Sequence, residues 1–224
     1  VKNAKLIESL NPSTSELLAH IEIANSEQLE SAVKSARKAQ PSWEKLGGHG
    51  RAKALYALAR LMQKHARIIS VLETLDNGKP IRESRDIDIP LAIRHFYHHA
   101  GWAQLQEKDF SSYQSIGVVA QIVPWNFPLL MLSWKLPPAL ATGNCVVLKP
   151  AEQTPSSATL LLEKIADVFQ SHSEQLPVLV KIALDWIADQ SFDLLAIGVN
   201  QGPGSYTGLR IGVSLAKGLC YAKN

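Results

Sequence analysis

The chain has 224 residues, of which 46% are hydrophobic, and its formal net charge at pH 7 is +3. This length and apolar content allow one large domain or two small ones, and the weak, dispersed charge gives no indication of nucleic acid binding. Two cysteines far apart in the sequence, without a pairing pattern, favour a reducing, cytoplasmic compartment. The stretch 117–134 is uncharged, but its prolines and amide side chains would leave polar groups unpaired in lipid, so we expect no membrane span.

Hydrophobic periodicity predicts a strand pair and four helices in the first half of the chain. Residues 4–24 have the pattern of two strands around a turn at 11–14. Asn25 and Gln28 have capping-box spacing, which begins a helix that ends at the glycine pair 47–48. The three further predicted helices cover 51–65, with Leu55, Leu58 and Met62 buried, then 66–75, and finally 86–106.

The stretch 118–155 predicts a strand–helix–strand unit around which the preceding residues are organised. The apolar, β-branched run Val118–Val123 is followed by two prolines around an amide, then by an apolar helix over 129–140. A second apolar strand, Cys145–Leu148, continues directly into a polar segment. Polar residues just past the carboxyl ends of parallel strands are how open α/β sheets bind nucleotides. The pattern therefore predicts an α/β fold with a nucleotide site at this edge.

Three patterns allow both a structural and a functional interpretation. His95 and His99 have the spacing of two zinc ligands on a helix, but no acidic residue lies between them, so we expect a packing or surface role. Cys145 is a nucleophile by residue type, but it lies within an apolar strand, where thiols are usually inert. Lys135 lies in the apolar helix; it could contact a cofactor, although we favour a surface ammonium group.

The central stretch also resembles the aldehyde dehydrogenase family. It contains PWNFP at 124–128 and NCVVLKPAEQTP at 144–155, and ETLDNGKP, which also predicts a helix end, is similar too. The resemblance implies that Asn126 donates its side-chain N–H to the oxyanion formed when a cysteine attacks an aldehyde, a task that a neutral amide performs without titrating. It also implies that Lys149 and Glu152 hold the adenosine ribose of NAD, with the carboxylate repelling the 2′-phosphate of NADP. The wall of the cofactor site would be formed by Ile122, Pro124 and Trp125.

Several parts of that family's machinery have no match in this sequence. These are the glycine-rich turn over the pyrophosphate, the glutamate base and the cysteine nucleophile in a Gly-Gln-x-Cys setting. Aldehyde oxidation in the family needs a thiolate to attack the carbonyl carbon and a base to release the thioester. We therefore expect residues 1–168 to form part of a Rossmann-like NAD-binding domain that binds NAD weakly or not at all and does not oxidise an aldehyde substrate.

From residue 169 the sequence resembles a different family. SHSEQL at 171–176 and DLLAIGVNQGPGSYTGLRIGVSLAKGLCYA at 193–222 are similar to TsaB, the non-catalytic partner of TsaD in bacterial threonylcarbamoyl-adenosine tRNA modification. The resemblance implies a helix–strand–helix fragment of an actin/sugar-kinase-like fold over 169–224, with TsaD as its partner. We expect no stable complex, because the strands that hold the contact helices in that family have no match here.

The tail leaves two further questions open. Gly202, Gly204 and Gly208 between a predicted strand and helix are loosely similar to a phosphate-binding loop. Because Pro203 removes one amide donor and no acidic ribose partner follows, we favour a tight turn before a capped helix. The apolar strand Leu194–Val199 needs partners on both sides, and we expect it to pair in parallel with Cys145–Leu148. Three functions follow: an NAD-linked enzyme, a protein-binding module, or a fold without activity.

Overall fold

A computed structural model of the chain describes residues 6–161, which form an α/β fold. The residues 84–88 are π-helical, and a further helix begins at Ser156. The predicted helices and strand of 169–224, and the pairing of Leu194–Val199 with an earlier strand, lie outside the described residues. The bounds are β1, Leu6–Leu10; β2, Leu17–Glu22; α1, Ser26–Lys45; α2, Gly47–Lys64; α3, Ala66–Asn77; α4, Ile81–Glu83; α5, Ile89–Asp109; β3, Val118–Ile122; α6, Pro128–Ala141; and β4, Cys145–Lys149.

The first two strands form the predicted hairpin. β1 pairs antiparallel with β2, with Ile7 opposite Ile21. The turn between them is closed by the side chain of Asn11, whose Oδ1 accepts from the Ser13 backbone N–H at 2.9 Å. This local hydrogen bond is the reason that Asn is favoured at the start of such turns.

Helix α1 begins with the predicted capping box. Asn25 Oδ1 accepts from the Gln28 N–H at 2.9 Å, and Gln28 Oε1 accepts from the Asn25 N–H at 2.8 Å. The helix buries little of its length, since Leu29 is exposed and only Trp43 is fully buried. Trp43 Nε1 donates to the carbonyl of Leu140 at 3.0 Å, so the carboxyl-terminal end of α1 is fixed to the end of α6.

The glycine pair 47–48 has a different role from the predicted helix end. Helix α2 begins at Gly47, four residues before the predicted start at Arg51. A Cβ on Gly48 would lie 2.1 Å from the carbonyl oxygen of Ala103 in α5. Glycine is therefore required because the two helices touch at this position, in addition to separating α1 from α2.

The hydrophobic core lies between α2, α5 and α6. Leu55, Leu58 and Met62 are buried, as predicted. The long helix α5 begins at Ile89 rather than 86, because the residues before it are π-helical. The main core residues that these helices share are Ala92, Phe96 and Ala100 of α5, and Leu129, Leu132 and Leu136 of α6.

The strand–helix–strand unit is confirmed. β3 and β4 pair in parallel with Val118 opposite Cys145 and Ile122 opposite Lys149, and α6 connects them. One more backbone hydrogen bond, from the Val123 N–H to the Lys149 carbonyl at 3.1 Å, extends the pairing past β3. The carboxyl-terminal ends of both strands therefore lie together, and this end of the sheet is here called the carboxyl edge. The opposite end, where both strands begin, is called the amino edge. No helix within residues 6–161 combines the length and apolarity that a bilayer crossing needs.

Candidate functional site

The predicted site residues come together at the carboxyl edge. Asn126 lies in the loop 123–127 that follows β3, and Glu152 lies in the loop 150–155 that follows β4. The two loops are connected by a hydrogen bond from Thr154 Oγ1 to the carbonyl of Trp125 at 3.4 Å. The sheet register places Lys149, the last residue of β4, opposite Ile122.

Lys149 and Glu152 form an exposed ion pair. Lys149 Nζ lies 2.7 Å from Glu152 Oε1, and the two side chains are 54% and 53% exposed. The hydrogen bond from Lys149 lowers the pKa of Glu152, so this carboxylate is charged at neutral pH. An exposed carboxylate beside an ammonium group offers both acceptors and donors to a ligand with neighbouring hydroxyl groups.

The predicted wall residues add apolar surface beside this pair. Ile122 is 67% exposed and Trp125 is 57% exposed, whereas Pro124 is half-buried. A ligand with an apolar ring and polar substituents could pack its ring on these apolar side chains and bind the charged pair with its polar groups.

Asn126 itself is exposed, and its side chain makes no hydrogen bond to any residue of 6–161. Its neighbours in sequence are fixed instead. The Trp125 carbonyl accepts from Asn77 Nδ2 at 2.6 Å, and the Lys79 ammonium group lies 3.4 Å from the centroid of the Phe127 ring. The amide is therefore available to a ligand, while the residue before it is held through its backbone and the residue after it through its ring.

Buried carboxylates behind the edge are functional candidates that the sequence does not single out. Glu73 is fully buried, and its Oε1 accepts from the Leu129 N–H, at 3.3 Å. Burial raises the pKa of Glu73 to about 7, opposed by the nearby hydroxyl of Ser157, by the Leu129 N–H and by Lys79. Within residues 6–161 neither Glu73 Oε2 nor Ser157 Oγ has a partner at hydrogen-bond geometry. The sequence predicts only a helix end here; its one signal is a cluster of acidic and amide residues at that end.

Asp76 connects three parts of the chain. It accepts from Ser9 Oγ of β1 at 2.9 Å and from the Ser156 N–H at 2.8 Å, where the helix after the β4 loop begins. Burial raises its pKa, opposed by those two hydrogen bonds. The carboxyl-terminal end of α3 therefore supports the loop after β4 through Asp76 and the loop after β3 through Asn77.

Cys145 lies at the amino edge, at the opposite end of the strands from Asn126. It is the first residue of β4 and pairs with Val118, four residues before the end of β3, which corresponds to about 13 Å along the strand. Its thiol is half-buried, and burial raises its pKa. A protonated thiol remote from the amide donor fits the structural interpretation of this residue.

Lys135 of α6 contacts the end of β3. It is half-buried, and its ammonium group donates to the carbonyl of Ile122 at the carboxyl edge. The lysine therefore satisfies a carbonyl at the end of β3 through an exposed hydrogen bond, which is compatible with the predicted surface ammonium group.

The paired histidines pack against aromatic rings. The His95 and His99 ring centroids lie 6.4 Å apart, and His95 meets the edge of Trp134 at 6.0 Å. Burial lowers the pKa of His99 to about 4. Residues 6–161 contain no group of three or more side chains suited to hold a metal ion.

A cavity of 480 Å³ opens at the amino edge, away from the predicted site. None of the residues predicted to bind NAD lines it. Its lining is mostly apolar and comes from the ends of α5 and α6 and the segments that follow them: His99, Trp102, Ala103, Gln106, Phe110, Tyr113, Gln114, Ile116, Pro138, Ala141, Thr142 and Asn144.

Two family models match this chain, and their matches overlap over residues 166–177. A model of the aldehyde dehydrogenase family matches residues 1–177. A model of the tRNA N6-adenosine threonylcarbamoyltransferase, TsaD, matches residues 166–224. The tail thus matches the TsaD family model, whereas the sequence motifs resemble its partner TsaB.

Curated proteins and solved structures give the same result for the larger part. Aldehyde dehydrogenase B of Escherichia coli is 42% identical over 171 residues, which are 72% of this chain and 33% of that protein. Acetaldehyde dehydrogenase 2 of Cupriavidus necator is 41% identical over 171 residues, covering 72% and 34%. The NAD⁺ complex of the aldehyde dehydrogenase from Bacillus cereus superposes with a TM-score of 0.68 at 39% identity, covering 74% of this chain and 36% of that one. The chain spans about a third of the length of these relatives.

Proposed function

The chain belongs to the aldehyde dehydrogenase family, and we propose that its carboxyl edge is the adenosine-ribose subsite for NAD. The observation that carries the proposal is the exposed pair of Lys149 and Glu152, 2.7 Å apart, at the shared end of two parallel strands. Ligands of open α/β sheets bind outside the carboxyl ends of the strands. The charged state of Glu152 and the exposure of its side chain meet the requirement of a ribose acceptor.

The chemistry of the pair favours NAD over NADP. A carboxylate accepts hydrogen bonds from both ribose hydroxyls, whereas a 2′-phosphate would bring a second negative charge against it. Lys149 complements this by donating to a ribose oxygen. The exposed side chains of Ile122 and Trp125 provide an apolar surface on which the adenine ring can rest.

We also propose the role of oxyanion donor for Asn126. Its amide is exposed at the same edge and has no hydrogen-bond partner within residues 6–161, and an uncharged donor stabilises developing negative charge without a change of its own protonation. NAD supplies a hydride acceptor when it is bound. Because Cys145 lies at the amino edge, at the other end of the strands, no thiol of the described residues lies beside Asn126.

These points lead us to propose weak NAD binding and no aldehyde oxidation by a polypeptide of this sequence. All of the cofactor contacts that we assign within residues 6–161 are to the adenosine half of NAD. We expect an NAD dissociation constant of about 1 mM or weaker, which corresponds to roughly −4 kcal/mol.

Calorimetric titration with NAD and NADP tests the subsite. We expect Glu152→Gln to weaken NAD binding and to reduce the preference for NAD over NADP. Glu30→Gln is the control, because Glu30 forms a more exposed ion pair with Lys34 on α1, far from the carboxyl edge in sequence, and it should leave both affinities unchanged. Equal NAD affinity in the wild type and Glu152→Gln would refute the ribose role, and micromolar binding would show that other residues complete the pocket.

A second candidate function concerns residues 169–224. The match of 166–224 to the TsaD family model, together with the TsaB-like motifs, supports a fragment derived from the tRNA threonylcarbamoyladenosine machinery. TsaD is the partner that the TsaB resemblance implies, and we propose that no stable complex forms. A pull-down of TsaD by the whole chain checks this, and retention through high-salt washes would contradict it.

A further inference from the structure

We infer that the segment 73–79, here called the brace, positions Asn126, and that Asn77 is its principal positioning residue. The inference rests on the proposed role of Asn126 as a donor at the carboxyl edge. Since Asn126 has no side-chain partner of its own within the described residues, its direction has to come from the backbone that carries it. The brace contacts the residues on both sides of Asn126, at the Trp125 carbonyl before it and at the Phe127 ring after it.

The first contact fixes the peptide group that leads into Asn126. Asn77 Nδ2 donates to the Trp125 carbonyl oxygen at 2.6 Å across 48 positions of sequence. That oxygen and the Asn126 nitrogen belong to the same planar peptide unit. Holding the oxygen therefore sets the orientation of the whole unit, and with it the starting direction of the Asn126 side chain.

The second contact fixes the residue that follows. The Lys79 ammonium group lies 3.4 Å from the centroid of the Phe127 ring, which is the geometry of a cation–π interaction. Lys79 is itself held by Asp88, at 2.8 Å, and both side chains are largely buried. A buried ion pair thus determines where the Phe127 ring can lie.

The third contact fixes the start of helix α6. Glu73 Oε1 accepts from the Leu129 N–H in the first turn of that helix, where backbone N–H groups lack intrahelical partners. Met131 N–H donates to the Phe127 carbonyl at 2.8 Å, so the loop joins the helix directly. Together the three contacts hold the loop at Trp125, Phe127 and Leu129, while the Asn126 side chain stays exposed.

A fold-stabilising role alone predicts a different outcome from a positioning role. If the brace only stabilises the fold, any variant that removes one of its hydrogen bonds should have similar consequences. Ser9→Ala is the matched control, because Ser9 Oγ donates to Asp76 of the same segment, 2.9 Å away, but from β1 and not from the loop. Asn77→Asp is the informative variant, because it keeps the side-chain shape and removes the donor.

Two-dimensional ¹⁵N–¹H spectra of the whole 224-residue chain without cofactor provide the test. The signals to follow are the Trp125 indole N–H, assigned with Trp125→Phe, and the Asn126 side-chain NH₂, assigned with Asn126→Asp. We expect Asn77→Asp to move both signals by more than a linewidth or to split them, and Ser9→Ala to leave them in place.

Unchanged signals in a folded Asn77→Asp protein, or equal changes in Ser9→Ala, would overturn the inference. If Asn77→Asp fails to fold, Lys79→Met serves instead, with the Asn126 NH₂ signal expected to shift and an unchanged signal overturning the inference. Because no NAD is added, a failure of the proposed NAD site would leave this result intact, and the NAD titration in turn does not depend on it.

Discussion

Similar polar residues have different roles at the amino and carboxyl edges of the β3–β4 sheet. At the amino edge the buried Asn144 uses its whole side chain within the protein. Its Oδ1 accepts from the N–H groups of Ile116 and Gly117, at 2.8 and 2.9 Å, and its Nδ2 donates to Thr142 Oγ1, at 2.9 Å. At the carboxyl edge Asn126 has no such partner among the described residues and is exposed. The Asn144 amide therefore stabilises the fold, whereas the Asn126 amide is available to a ligand.

The charged residues at the two edges differ in the same way. At the amino edge Arg51 is buried and donates to the Ala141 carbonyl at 3.0 Å and to the Glu44 carbonyl at 2.9 Å. At the carboxyl edge Lys149 and Glu152 are half-exposed and bond to each other. A side chain whose hydrogen bonds are all internal contributes to stability, whereas an exposed pair contributes little to it and is free to bind a ligand.

The largest effect is expected at Glu73, which lies behind the carboxyl edge. Its pKa is raised to about 7 from an ordinary 4.5, so the protonated form favours the folded state. The stabilisation that Glu73 gains by being protonated in the folded state is complete below pH 4.5. It falls as the pH rises from 4.5 through 7 and is lost above that. Relative to Glu73→Gln, the wild type should lose about 3 kcal/mol of unfolding free energy over that range.

Urea unfolding at several pH values between 4 and 8 measures this difference. The charges around Glu73 are Lys79, which opposes the rise in pKa, and Asp88, which adds to it. Both are unchanged in Glu73→Gln, so they cancel from the comparison. A difference between the two proteins that stays constant with pH would show that folding does not raise the pKa of Glu73.

A smaller loss of stability is expected at the amino edge. Asn144→Ala removes the acceptor for two backbone N–H groups and should lower the free energy of unfolding by about 2 kcal/mol. Asn144→Asp keeps the accepting oxygen and should cost less. Chemical denaturation compares the three proteins, and equal stability of Asn144→Ala and the wild type would remove the distinction between the edges.

The smallest effect on stability is expected for the residues that we assign to the ligand. Glu152→Gln should leave the melting temperature unchanged, because its ion pair is exposed. Calorimetry should show this variant melting with the wild type while its NAD affinity falls. A clear drop in melting temperature would indicate that the pair serves the fold.

No NADH production is expected from acetaldehyde or benzaldehyde with a polypeptide of this sequence. Cys145→Ser should be indistinguishable from the wild type, because the Cys145 thiol is at the amino edge and burial raises its pKa. Absorbance at the NADH band measures both proteins. NADH formation that disappears in Cys145→Ser would contradict the structural interpretation of this cysteine.

The sequence predicts those parts of the fold that depend on local patterns. Strand β3, helix α6 and strand β4 follow from predominantly apolar runs of the right length, and the start of α1 follows from the capping box at Asn25. The close contact of Gly48 with Ala103 could not be predicted, because it depends on how α2 crosses α5. The glycine pair therefore indicated only a helix end.

The same limit applies to the candidate site. Motifs place Asn126, Lys149 and Glu152 after the strands, and parallel pairing then brings them to one edge. The contacts of Asn77 with Trp125 and of Glu73 with Leu129 span 48 and 56 positions of sequence. No local pattern encodes such distances, so the supporting residues emerge only when the packing is known.

Mapping NAD onto the sheet by ¹⁵N–¹H chemical-shift perturbation tests the central claim most directly. At millimolar NAD we predict shifts in the backbone signals of Ile122, Trp125, Lys149 and Glu152, with none at Asn144. The Glu152→Gln protein should need a higher NAD concentration for the same shifts, and Glu30→Gln should not. Shifts centred on the amino-edge cavity, or no shifts at either edge, would contradict the assignment of the carboxyl edge to NAD.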